Sequence, residues 1–179
     1  MSSAVLPEVW LRGPLPDVPP LLQPVAHSLL QSLEELRRTV PPLGDAELRA
    51  RPGGAASVAY HAVHAAGSLD RLLTYARGEP LSDAQLAALA VEGAVNDAPA
   101  DGAALLAHFE ATVERALAQL RATDERALTE ARGVGRRQLP STVIGLLFHA
   151  AEHTQRHAGQ AMTTARVVQG STTATAPTT

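Results

Sequence analysis

Apolar residues recur every three or four positions in four long segments of this 179-residue chain. This is the period of an amphipathic α-helix that buries one face. Proline and glycine residues flank the segments and predict helices near residues 18–40, 57–77, 101–122 and 141–168. The N-caps predicted from the sequence are Ser57, Asp101 and Ser141. No segment shows a convincing alternation of period two, so no sheet is predicted.

The remaining residues predict a short helix, a lead-in and a tail. Ser82 and Gln85 have the spacing of a capping box and predict a short extra helix. Five prolines among the first 20 residues predict an extended lead-in with Trp10 as its bulky anchor. The last ten residues have almost nothing to bury and predict disorder. We expect an all-α four-helix bundle with one short extra helix at 18–168, a lead-in at 1–17 and a tail at 169–179.

The composition narrows the classes of function. A net charge of -3 supplies no broad positive field, which disfavours nucleic-acid binding. The chain has no cysteine, so a metal ion would have to take nitrogen or oxygen ligands. The N-terminus lacks the pattern of a signal peptide, and no apolar stretch approaches the roughly 20 residues that cross a bilayer. We therefore expect a cytoplasmic protein without a membrane partner.

Three of the seven histidines form a column on the last predicted helix. His149, His153 and His157 are spaced by four residues, close to one helical turn. His153 and His157 can therefore reach one ion from the same face. His149 lies about 12 Å from His157 along the axis, too far for all three to bind one ion easily. We expect one of the three to lie outside the first coordination shell.

A second histidine pair, His61 and His64, lies near the start of the second predicted helix. Helix bundles build metal sites from side chains on facing helices, so two ligands from one helix and one from another are available. The spacing also allows the simpler interpretation that these imidazoles are solvated or structural and bind no metal.

The segments "SVAYHAVHAAGSLDRLLTYA" and "LPSTVIGLLFHAAEHTQRHAGQ" resemble the DinB-like family of damage-inducible and thiol-transferase-related four-helix proteins. The family pattern has a serine near the start of the second helix and a histidine seven residues later, here Ser57 and His64. It also has two histidines four apart on the last helix, followed by Gly-Gln, here His153 and His157. The resemblance runs from about residue 18 to 168.

The resemblance implies a divalent metal ion held by His64, His153 and His157, with zinc or nickel favoured and other first-row ions open. It also implies a homodimer. We expect a metal-dependent enzyme that activates water or a small thiol, as a transferase or a hydrolase, with a small-molecule substrate such as a low-molecular-weight thiol. The alternative is a non-catalytic stress-response bundle that binds metal or a small ligand.

Other polar residues receive secondary roles in this interpretation. His61 and His149 are expected not as ligands but either behind the ligands, where they would orient them, or at the pocket rim. Glu152 is expected to be solvated or in a salt bridge, and His27 to lie at the surface. Asp70 and Arg71 are expected to form structural ion pairs. The third helix offers no ligand.

Overall fold

The computed structural model describes residues 6–96 and 100–174 of the chain. Within these parts the elements are α1 Gln23–Thr39, α2 Asp45–Arg49, α3 Val58–Ala76, α4 Asp83–Val91, α5 Gly102–Ala122, β1 Ala131–Val134, β2 Leu139–Thr142 and α6 Val143–Ala174. A short 3-10 turn, Pro20–Leu22, leads into α1, and another, Glu92–Asn96, follows α4. The strands β1 and β2 form an antiparallel hairpin.

The four long helices pack as one bundle, and the predicted all-α fold class is confirmed. Both α5 and α6 pack against α1 and α3. The core between them contains the fully buried side chains of Leu29, Leu69, Phe109, Leu120 and Leu147. Burying a side chain of this size contributes roughly 1.5–3 kcal/mol. Among the described residues, none of the helices is both long and apolar enough to cross a membrane.

Small side chains line the contact between α3 and α6, the most extensive helix pair in the bundle. Both helices carry buried alanines: Ala62, Ala65 and Ala66 on α3, and Ala150, Ala151, Ala158 and Ala161 on α6. Because the distance between helix axes depends on the side chains at the contact, alanines let these helices approach closely. Imidazoles on one helix can then reach those on the other.

Two of the three predicted N-caps are confirmed. Ser57 Oγ accepts a hydrogen bond from the Tyr60 backbone amide, and the Asp101 carboxylate caps α5. The third was wrong by one residue. Ser141 lies in β2, and Thr142 Oγ1 accepts the hydrogen bond from the Gly145 amide at the start of α6.

The hairpin corrects the expectation that the chain has no sheet. Each strand has only four residues, which is too short for an alternating pattern to stand out. Gly135, with a φ of 66°, forms part of the turn between the strands. Arg132 Nε donates to the carbonyl of Ala76 at 2.9 Å and thus ties the hairpin to the end of α3.

The ends of several elements also differ from the prediction. The segment after α1, which was expected to be a loop, contains α2. The Glu47 carboxylate accepts a hydrogen bond from the Gly44 backbone amide at the start of this helix. The last helix continues to Ala174, because no proline interrupts it and extending an existing helix costs little. Part of the expected tail is therefore helical, and residues 175–179 lie outside the described residues. In the lead-in, Val9 is buried while Trp10 is 61% exposed, so Val9 is the anchor.

Candidate metal centre

Three imidazoles from two helices meet on one side of the bundle. His64 of α3 and His153 and His157 of α6 each offer a nitrogen, and these nitrogens all lie within 4.8 Å of one another. The Nε2 atoms of His64 and His153 are 3.0 Å apart. The three ring centroids are 4.5 to 5.2 Å apart, so the rings form a compact triangle. All three side chains are partly buried.

His64 is oriented by a buried carboxylate that the sequence interpretation missed. Glu92 Oε2 lies 2.9 Å from His64 Nδ1, and Glu92 is only 7% exposed. In the neutral imidazole, a proton on Nδ1 donated to this carboxylate leaves the Nε2 lone pair free for a ligand. Tyr60 stacks on the His64 ring with a centroid distance of 5.5 Å and an interplanar angle of 8°. The only sequence signal for Glu92 is an acidic residue directly after the apolar run of α4.

His157 is supported by a second imidazole rather than a carboxylate. His61 Nδ1 lies 2.9 Å from His157 Nδ1, and His61 is 6% exposed. This contact leaves Nε2 of His157 as the nitrogen available to an ion. The pKa of His61 is lowered by burial and by the nearby His64, which favours the neutral form that such a contact needs.

His149 lies outside the group, at the exposed end of the column. Its Nδ1 is 2.7 Å from Glu152 Oε1, and Glu152 also accepts hydrogen bonds from Arg156 Nη2. Arg156 and His149 hold the pKa of Glu152 below its usual range. The expected salt bridge of Glu152 is therefore present, and its carboxylate does not face the three imidazoles as a free base.

The environment of the site keeps two of the imidazoles neutral. The pKa of His153 is lowered first by burial and then by its neighbours, among them Arg156. Burial lowers the pKa of His157 to about 3, with contributions from His64, His153 and His61. Neutral imidazole is the form that binds metal, so at neutral pH these two rings are in the ligating state.

The arrangement fits a divalent first-row ion. In a tetrahedral site with bonds of 2.0–2.1 Å, ligand nitrogens are about 3.3 Å apart, close to the 3.0 Å between the Nε2 atoms of His64 and His153. His153 Nδ1 is buried and has no hydrogen-bond partner among the described residues. The Nδ1 atoms of His64 and His157 thus contact a protein group, whereas Nδ1 of His153 has no such partner among the described residues. The three histidines could hold a metal ion.

A cavity of about 640 Å³ lies beside this centre. Its polar lining comes from His61, Arg156, Gln160, Thr163 and Thr164, and Gly159 also lines it. The Gly-Gln pair that follows the histidines in the sequence therefore lines a space next to His157. A Cβ atom added at Gly159 would meet nothing within 4 Å.

The other candidate residues lie elsewhere. His27 Nε2 is 3.0 Å from the carbonyl of Gly13, at a separate cavity on the lead-in side of the bundle. Arg71 forms its ion pair with Glu92 rather than with Asp70. The Asp70 carboxylate accepts a hydrogen bond from the Gln85 side chain and lies 3.9 Å from the Arg115 guanidinium. The third long helix, α5, contributes no residue to the histidine group.

Comparisons with known proteins agree with this fold. None of the curated proteins is significantly similar to the chain. A solved structure described as a conserved protein of Enterococcus faecalis superposes with a TM-score of 0.67. It is 23% identical over 84% of this chain and 98% of its own, which shows a shared fold. The sequence profile of the DinB superfamily matches residues 28–161, which include all three histidines, and the chain therefore belongs to the DinB superfamily.

Proposed function

We propose that the protein binds one divalent first-row ion, zinc or nickel in the first instance, through His64, His153 and His157. We further propose that it is a metal-dependent enzyme acting on a small molecule. An ion held by three neutral imidazoles, with a coordination position left open, lowers the pKa of a water or thiol that binds to it. This chemistry suits a thiol transferase or a hydrolase.

One observation carries the proposal: the Nε2 atoms of His64 and His153 lie 3.0 Å apart. The other ring nitrogen of His64, Nδ1, is hydrogen-bonded to Glu92. Two imidazole nitrogens this close share either a proton, in a neutral N–H···N hydrogen bond, or a cation. The lowered pKa values of His153 and His157 keep both rings in the neutral form that a metal ion requires. A cation is the partner that all three lone pairs can share.

The cavity next to His61 supports a small polar substrate. Arg156, Gln160 and the two threonines supply polar groups to the lining of this cavity. Such groups bind and orient a ligand, which is the part of catalysis that the polypeptide itself contributes here.

Turnover tests the enzymatic part of the proposal. Untagged protein, reconstituted with Zn²⁺ or Ni²⁺, is mixed with electrophiles and low-molecular-weight thiols, and with small esters and amides for hydrolysis. We expect metal-dependent turnover that disappears in His153→Ala. Rates equal to those of the free ion with every substrate would contradict the enzyme assignment and leave metal binding standing.

A non-catalytic stress-response bundle that binds metal or a small ligand is the second candidate, and one observation favours it. The carboxylates closest to the centre are both engaged, Glu92 by His64 and Arg71, and Glu152 by Arg156 and His149. No free carboxylate among the described residues therefore stands ready as a general base. This candidate predicts tight metal binding without turnover in the same assay.

A further inference from the structure

One face of α3 carries a set of residues that the segment after α4 covers. Ser57, Tyr60, His64, Gly67 and Arg71 follow one another at three or four positions and therefore lie on the same side of the helix. The 3-10 turn Glu92–Asn96 packs against α3.

This turn is attached to that face at two points. At one end, Asn96 Oδ1 accepts a hydrogen bond from Ser57 Oγ at 2.5 Å. At the other end, the Glu92 carboxylate accepts hydrogen bonds from His64 Nδ1 at 2.9 Å and from Arg71 Nη1 at 3.1 Å. The two residues of α3 that resemble the family pattern, Ser57 and His64, are thus held by the same turn.

Gly67 provides the space for the Glu92 carboxylate. It lies between His64 and Arg71 on the face of α3, where any other residue would project a side chain. A Cβ atom at this position would be 2.6 Å from Glu92 Oε1 and 2.7 Å from Arg71 Nη1, closer than real Cβ contacts. A glycine in the interior of a helix is unfavourable relative to alanine, so its presence here has a packing reason.

We propose that Glu92 is the positioning residue of the metal centre. It fixes the proton of His64 on Nδ1 and aims Nε2 at the ion, while Arg71 holds the carboxylate and Gly67 leaves room for it. The inference rests on the proposed metal binding by His64. A purely structural ion pair between Arg71 and Glu92 would hold α4 in place and leave His64 free to take either tautomer.

The direct test replaces Glu92 by glutamine and measures Zn²⁺ affinity in competition with a chelating indicator. An amide has one acceptor oxygen where the carboxylate has two, so it cannot keep both the contact of Oε2 with His64 Nδ1 and that of Oε1 with Arg71 Nη1. We expect affinity to fall about 10- to 100-fold, the usual effect of removing such a partner of a ligating histidine. The matched control is Glu152→Gln, which removes a carboxylate from His149 instead and should leave affinity unchanged within error.

Gly67→Ala provides a second route if Glu92→Gln does not fold. Alanine favours the helix, so this variant should fold well and yet bind Zn²⁺ more weakly, because Glu92 is displaced. Gly159→Ala is its control, since a methyl group added there has no neighbouring side chain or other element within 4 Å, and its Zn²⁺ affinity should match that of the wild type. If folded Glu92→Gln binds Zn²⁺ as tightly as the wild type, the proposal is overturned. If Glu92→Gln does not fold, wild-type Zn²⁺ affinity in Gly67→Ala overturns it.

A measurement without metal separates this proposal from the proposed function. In the metal-free protein, ¹⁵N shifts of the imidazole nitrogens report the tautomer of His64. We expect the proton on Nδ1 in the wild type and a loss of this preference in Glu92→Gln. If the wild type binds no metal but shows this change, metal binding is wrong and the role of Glu92 in orienting His64 stands; an unchanged tautomer contradicts that role.

Discussion

At the residue scale, the sequence identified the three imidazoles but not what holds them. The spacing of His153 and His157 and the resemblance at His64 predicted the group that the fold brings together. Glu92 lies 28 positions from His64, and no local period connects the two. Only the packing of the turn after α4 on α3 brings them into contact. His61, expected behind the ligands or at the pocket rim, is buried against His157 and also lines the neighbouring cavity.

The lowered pKa of His157 predicts how the metal-free protein responds to acid. The folded-state pKa of about 3 lies below the unfolded value of about 6.5. The associated stability is therefore present above pH 6.5 and is lost as the pH falls from 6.5 toward 3. Partial exposure reduces the effect, which we expect to be on the order of 1 kcal/mol between pH 7 and 5.

Urea unfolding of metal-free protein at pH 7 and pH 5 measures this loss. His157→Gln lacks the titrating group and should lose less stability than the wild type over the same interval. Equal losses in the two proteins would mean that His157 is not the group responsible.

At the element scale, periodicity located every long helix and the capping box located α4, whereas α2 and the hairpin were missed. Residues such as Leu29 and Phe109 mark buried helix faces over several turns, so their pattern is visible in the sequence. The strands β1 and β2 have four residues each, and their pairing depends on the turn at Gly135 and on the bond from Arg132 to Ala76. These are contacts that a local pattern does not encode. The hairpin ends where α6 begins, so the N-cap of α6 is Thr142 rather than the predicted Ser141.

The cap of α6 gives a prediction at this scale. Thr142→Ala removes the hydroxyl that accepts the Gly145 amide and should lower the free energy of unfolding by about 1 kcal/mol. Ser141→Ala removes a hydroxyl that caps no helix and serves as the matched control. Chemical denaturation of both variants checks the assignment, and a larger loss in Ser141→Ala would restore the cap expected from the sequence.

At the scale of the whole molecule, the bundle uses the apolar face of α1 internally. Val25, Leu29, Leu33 and Leu36 are buried in the core, so this face is not available to a second copy. The homodimer expected from the family resemblance would have to use other apolar residues. Those that are exposed include Leu86, Leu89 and Val91 on α4, and Phe148 on α6.

We still predict a homodimer, which sedimentation velocity over a range of concentrations can test. Leu89→Asp and Phe148→Asp place a charge on each exposed surface in turn. If one of these surfaces forms the dimer, the corresponding variant should sediment as a monomer while the other remains dimeric. A wild-type protein that stays monomeric at high concentration would contradict the prediction.

The most direct test of the metal centre is the metal content of untagged protein and of four single variants, measured by elemental analysis. We expect about one divalent ion per chain in the wild type, and the loss of most of it in His64→Ala, His153→Ala and His157→Ala. His149→Ala should keep its metal, because the nitrogens of His149 do not converge with those of the other three histidines, although its ring lies 5.3 Å from that of His153, and its Nδ1 is 2.7 Å from Glu152 Oε1. Loss of metal from His149→Ala as complete as from His153→Ala, with metal retained in His64→Ala, would contradict the assignment of the ligands.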